Sequence, residues 1–160
     1  MIRRPPRSTQ GVSSAASDVY KRQGKLNIPV IPPEELAQLE LSEYARPRVE
    51  QTQQLAPYGL PSNLDAWDGY PAARERLFAM LSAHASNPIS LAGDTHNGWA
   101  FNLTNAQGGA VGVEWGTPGV SSPGLENYVP LPPEQMQALL KGASPELAAC
   151  DTSPANQPPT

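Results

Sequence analysis

The chain has 160 residues, 39% of them hydrophobic, and a formal net charge of −4. No stretch approaches the roughly 20 consecutive apolar residues that span a bilayer, and the single cysteine excludes an internal disulfide. After residue 23, 6 basic and 14 acidic residues leave a net charge of −8, which argues against a nucleic-acid-binding surface.

The two ends of the chain differ from its middle. Residues 1–23 are basic, lack periodicity and resemble translated sequencing-adapter DNA, which contaminates the ends of metagenomic gene models. A twin-arginine export signal at Arg3 and Arg4 is the alternative, but no apolar region follows, so no signal peptide is expected. We predict an artefactual leader over residues 1–23, a folded segment over 24–148 and a disordered, proline-rich tail over 149–160.

Helical patterns occupy three parts of the middle. A short helix is predicted from Glu34 to Leu41, and residues 42–66 are expected to be loop with some helix. Pro71 suits the first position of a helix that continues to Ala85, with Arg74 and Arg76 pointing outward. Residues 133–142 form the last predicted helix.

Strand patterns lie between these helices. Residues 88–92 are predicted to form a buried strand that stops at Gly93, and residues 99–103 and 110–115 a hairpin. Alternation would place Val111, Val113 and Trp115 on one face. We expect Trp67, Tyr70, Trp99 and Trp115 to lie mainly in the core. A helix that precedes a strand with polar residues at its carboxyl end indicates an α/β fold.

The candidate site follows that strand. Asp94 and His96 are one residue apart, so an extended backbone would direct both side chains to the same side. A carboxylate and an imidazole together suit zinc, iron or manganese. The alternative is a turn carboxylate beside a surface imidazole. Arg74 and Arg76 could clamp a phosphate group, although helix-surface arginines are usually solvated.

Four blocks of sequence resemble the alkaline phosphatase D (PhoD-like) family. They are residues 63–77 (NLDAWDGYPAARERL), 93–100 (GDTHNGWA), 113–115 (VEW) and 120–124 (VSSPG). The second block is similar to the last metal motif of that family, Gly-Asp-x-His followed by a tryptophan. The four blocks occur in the same order as in the family.

The resemblance implies a metallophosphoesterase β-sandwich flanked by helices, here an incomplete C-terminal part. It implies hydrolysis of phosphate mono- and diesters with iron and calcium, in a periplasmic or secreted enzyme. Asp94 and His96 match metal ligands, and Asn97 and Trp99 match positions beside the site. The other family ligands have no counterpart here, which indicates a missing N-terminal half and an inactive fragment. The alternatives are a non-catalytic interaction fragment and a misassembled gene product without function.

Overall fold

Each α-helix in the described part of the chain has a proline in its first turn. The computed structural model describes residues 23–61, 63–64, 66–93, 95–119 and 123–153. The first helical N–H has no acceptor within its helix, so proline costs nothing there. The helices are α1 (Pro33–Gln38), α2 (Arg46–Leu55), α3 (Pro71–His84) and α4 (Pro133–Ala143). The three predicted helices are confirmed, and α2 lies in the segment expected to mix loop and helix.

The strands form one mixed sheet in the order β1-β3-β2-β4. Their bounds are β1 (Ile89–Ala92), β2 (Gly98–Thr104), β3 (Ala110–Gly116) and β4 (Leu147–Asp151). β1 pairs with β3 in parallel, whereas β2 pairs with β3 and β4 in antiparallel. The sheet with its helices confirms the α/β class. The predicted tail begins too early, because residues 149–151 belong to β4 and are held by main-chain pairing with β2.

One face of this sheet carries the hydrophobic core. Trp99, Phe101 and Leu103 alternate along β2 toward that face, and all three are buried. They pack with Phe78 of α3 and with Met136 and Leu140 of α4. Both helices therefore cover the same side of the sheet. Among the described helices, none combines the length and apolarity required to cross a membrane.

A β-bulge in β3 changes which side chains enter the core. Leu103 pairs with Gly112 and Thr104 with Ala110, so Val111 is the extra residue between them. Val111 consequently faces the core, and Glu114 replaces the predicted Trp115 on the buried side. The prediction of one shared face for Val111, Val113 and Trp115 is wrong because alternation is broken at the bulge.

The opposite face of the sheet is uncovered. Ile89, Leu91 and Trp115 lie side by side across β1 and β3 and are 66%, 61% and 56% exposed. The prediction that residues 88–92 form a buried strand is therefore wrong in this structure. Tyr70 is also exposed, whereas Trp99 lies in the core as expected. Parallel strands are usually covered on both faces, so this apolar surface is unusual.

The extended segment before α1 is held by its backbone. Five consecutive N–H groups, from Gln23 to Asn27, donate hydrogen bonds to side chains that lie far away in sequence. The acceptors are Glu114 for residues 23 and 24, Glu146 for residue 25, Asp68 for residue 26 and Ser144 for residue 27. This pairing attaches the segment to the core without a β-ladder.

Gly24 is expected to be sensitive to a single added methyl group. A Cβ atom at this position would overlap the ring of Phe101, and the Gly24 N–H donates a hydrogen bond to Glu114. We expect Gly24→Ala to lower the free energy of unfolding by about 1–3 kcal/mol, the usual cost of overpacking. Urea unfolding followed by circular dichroism measures the loss.

Gly142 supplies the matched control for this substitution. It lies in α4, and apart from its chain neighbours and the backbone of its own helix no described atom lies within 4 Å of the position of its added Cβ. Gly142→Ala should leave stability unchanged or raise it by up to about 1 kcal/mol, since alanine favours helix. Equal effects of the two substitutions would contradict the packing of Gly24 against Phe101.

Candidate functional site

His96 occupies a tight turn between β1 and β2. Its φ is 62°, in the left-handed region that residues other than glycine seldom adopt. The turn is held by its neighbours, because the Gly119 N–H donates to the His96 carbonyl at 2.9 Å. Non-glycine residues held in this conformation cluster at functional sites.

A hydrogen bond determines which nitrogen of His96 is available. Nδ1 lies 2.8 Å from the carbonyl oxygen of Pro123. A carbonyl oxygen can only accept, so Nδ1 carries the proton, and the neutral ring keeps the lone pair on Nε2. Histidines that bind metals are commonly oriented in this way by a carbonyl or carboxylate behind the ring.

Asn97 supports the site and is not arranged as a ligand. It is buried, and its Oδ1 accepts from the Leu125 N–H at 2.9 Å while its Nδ2 donates to Glu126 at 3.1 Å. The same Glu126 accepts from the Gly124 N–H at 2.8 Å. These bonds fasten the Pro123 segment against the turn, and thereby hold the acceptor that orients His96.

Trp99 packs below this turn. It is 4% exposed and stacks on Phe101 with ring centroids 6.3 Å apart. Its Nε1–H is buried and has no hydrogen-bond acceptor among the described residues. Trp99 is therefore a core residue, as expected, and its place beside a metal site stays a prediction.

The described residues supply His96 as one candidate metal ligand. Asp94 lies outside them, so its role stays a prediction. Within the same residues, no three His, Cys, Asp or Glu side chains lie close enough to hold a metal ion. The chemistry of His96 fits a metal because its Nε2 lone pair is free for coordination. His84 is exposed at the end of α3.

Arg74 is neither an outward-pointing side chain nor a phosphate clamp, which were the two predicted roles. It is 1% exposed, and its Nη2 donates to both carboxylate oxygens of Glu146, at 2.8 and 2.7 Å. Its Nε and Nη1 donate to the carbonyls of Gln23 and Thr104. The expectation that Arg74 points outward is wrong, and all its nitrogens are engaged, so it is not free to clamp phosphate. Arg76 is exposed.

Cys150 is a poor nucleophile in this setting. Burial raises the pKa of its thiol, an effect that Lys141 partly opposes and Asp151 reinforces. The thiolate is the reactive form, so a raised pKa lowers its population at neutral pH.

The fold is a mixed α/β sheet flanked by helices, with an oriented histidine in the turn that follows β1. The family model of the PhoD-like phosphatases matches residues 33–156, and the chain belongs to this family. This confirms the resemblance inferred from the four sequence blocks.

Two relatives give the extent of the match. The chain is 48% identical over 42 residues to alkaline phosphatase D of Bacillus subtilis (strain 168), covering 26% of this chain and 7% of that protein. A solved structure of PhoD is 25% identical, with a TM-score of 0.41 over 55% of this chain and 17% of that chain. The matched parts thus span less than a fifth of either relative.

Proposed function

We propose that this chain forms part of a metal-dependent phosphoesterase that hydrolyses phosphate mono- and diesters. In this proposal Asp94 and His96 are metal ligands, the ions are iron and calcium, and the protein is exported. Membership of the PhoD-like phosphatase family supports the reaction class. The assignment of His96 as a ligand rests on the orientation of its ring, whose Nδ1–H donates to the Pro123 carbonyl.

The reaction requires charge neutralisation, because both the ester and its nucleophile are negative. A bound metal ion supplies this neutralisation and makes water a stronger nucleophile. The chain's own contribution is orientation: the left-handed turn and the Pro123 carbonyl hold the imidazole in one tautomer. Asn97 and Glu126 hold the Pro123 segment in place.

We also propose that the chain alone is inactive and that residues outside it complete the metal centre. Catalytic metal sites use at least about three protein ligands. The exposed apolar face at Ile89, Leu91 and Trp115 supports the same view, because a larger domain would bury it. The second candidate function is a non-catalytic interaction module, and the same exposed apolar face is the observation that supports it.

A chimaera tests the role of His96. Residues 23–156, which include the extended segment attached to the core, replace the corresponding segment of an active PhoD-like phosphatase, and hydrolysis of bis(4-nitrophenyl) phosphate is measured. Because groups that merely orient a metal ligand are worth roughly 10- to 100-fold, we expect His96→Gly to lower kcat by at least about 100-fold. Glycine is chosen because it accepts the φ of this turn without strain.

His84→Gly is the matched control and should leave hydrolysis by the chimaera unchanged, since His84 is exposed at a helix end. An active His96→Gly chimaera would refute the ligand assignment. The isolated chain, given iron and calcium, should show no hydrolysis above the protein-free rate. Hydrolysis that His96→Gly abolishes in the isolated chain would overturn the proposal of inactivity.

A further inference from the structure

A cavity of about 470 Å³ adjoins the His96 turn, and its walls carry charge of one sign. Among the described residues that line it, Arg48 is the only Lys or Arg, and none is an Asp or Glu. The chain after residue 23 has 14 acidic and 6 basic residues, so a wall without a carboxylate is unusual here. Most of the remaining wall is apolar, which strengthens the field of a cation beside it. The described walls of this cavity therefore favour an anion.

Arg48 of α2 is held at the opening of the cavity. Its side chain is exposed and also lines the cavity, so a dissolved molecule can reach it. The guanidinium carbon lies 3.7 Å from the centre of the Tyr44 ring, and Nη1 donates to the Tyr44 carbonyl at 2.9 Å. The Tyr44 ring packs in turn against Tyr128, another residue of the wall, with centroids 6.4 Å apart. These contacts restrict the guanidinium to the wall.

One edge of the Arg48 guanidinium has no partner in the part of the chain that the structure describes. This edge consists of Nε–H and Nη2–H, the fork with which arginine binds two oxygens side by side. Two other helix arginines differ, because Arg46 pairs with Glu50 at 3.8 Å and Arg74 with Glu146 at 2.7 Å. Arg48 thus retains both a charge and a fork for an oxyanion.

We propose that Arg48 binds an oxyanion of the phosphate ester in this cavity through its Nε–H and Nη2–H. The proposal rests on the proposed function, because it names a substrate-binding residue of the same site. A phosphoryl group offers the non-bridging oxygens that match the fork. Arg48 attracts and orients the ester and transfers no proton, since its guanidinium stays charged. It also offsets the repulsion that an acidic chain exerts on this substrate.

Inorganic phosphate tests the binding without metal or turnover. The isolated chain is labelled with ¹⁵N, and its arginine Nε–H cross-peaks are followed at constant ionic strength, with Arg48→Met and Arg46→Met identifying the two of interest. We expect the Arg48 signal to shift and saturate, and the Arg46 signal to stay in place. Arg46 is the matched control because it lies on the same helix, is paired with Glu50 and does not line the cavity. An Arg48 signal that does not saturate, or that moves no more than that of Arg46, would overturn the proposal.

Kinetics of the chimaera give the size of the effect. Arg48→Met should raise KM for 4-nitrophenyl phosphate at least about tenfold with kcat little changed, since hydrogen bonds to charged groups are worth about ten- to a hundredfold. Arg46→Met should leave KM unchanged. Arg48→Lys keeps the charge without the fork and should restore part of the loss. The rise should be smaller for bis(4-nitrophenyl) phosphate, because the diester carries less negative charge than the monoester dianion.

The two assays separate this inference from the proposed function. Saturable phosphate binding at Arg48, with a chimaera that hydrolyses neither ester, would overturn the proposed function and with it the ester as the ligand of Arg48. Hydrolysis with KM unchanged in Arg48→Met would overturn the Arg48 assignment alone. An equal rise of KM in Arg46→Met and Arg48→Met would overturn it too, because the effect would then come from the net charge of α2.

Discussion

Glu146→Ala should lower the free energy of unfolding by about 3–5 kcal/mol, because it leaves a buried guanidinium without its carboxylate. Arg74 is 1% exposed and makes both of its strongest bonds to Glu146. The same carboxylate also accepts from the Lys25 N–H and from the Thr104 hydroxyl. The substitution therefore removes hydrogen bonds from α3, from the extended segment and from the end of β2 at once. Urea unfolding followed by far-ultraviolet circular dichroism measures the effect.

Glu75→Ala is the matched control because Glu75 contacts the same arginine. Its carboxylate lies 3.7 Å from Arg74 Nη1, and its side chain is 32% exposed. Ion pairs at the surface contribute about 0–1 kcal/mol, so this loss should be small. The double variant Arg74→Met, Glu146→Met should be more stable than Glu146→Ala, since neither charge then remains buried. A loss below about 1 kcal/mol for Glu146→Ala would contradict the buried pair.

The burial of Arg74 illustrates why sequence patterns were insufficient here. Its helix is predictable, because Pro71 and the apolar spacing are local signals. The partner Glu146 is 72 residues away and follows α4, so no local pattern connects the two. The bulge at Val111 is similar, because one unpaired residue reverses the face of every residue that follows.

The candidate site was likewise only partly predictable. The GDTHNGW motif predicts the turn that contains His96, and the family model covers this segment of the chain. The tautomer of His96 depends on Pro123, which is 27 residues further along the chain. The hydrogen bond from Asn97 Nδ2 to Glu126 likewise spans a loop whose sequence has no periodicity. Such contacts are produced by tertiary packing, and the sequence signal for them is weak.

Phe101→Ala should also cost about 3–5 kcal/mol of unfolding free energy, the range for truncating a buried aromatic residue. Phe101 is 1% exposed and lies on β2, between β3 and β4. Its ring stacks on Trp99 and packs against the backbone of Gly24. Removing it opens a cavity where the sheet, the extended segment and the helices meet. Urea unfolding again provides the measurement.

Trp115→Ala is the matched control, because it also truncates an aromatic side chain of the sheet but on the exposed face. Trp115 is on the next strand but on the uncovered face, and it is 56% exposed. If that face is open in the isolated chain, its truncation should change stability by only about 0.5 kcal/mol. A loss as large as that of Phe101→Ala would contradict an open face. If that loss also grew with protein concentration, a second copy of the chain would be covering Ile89, Leu91 and Trp115, because association stabilises by mass action.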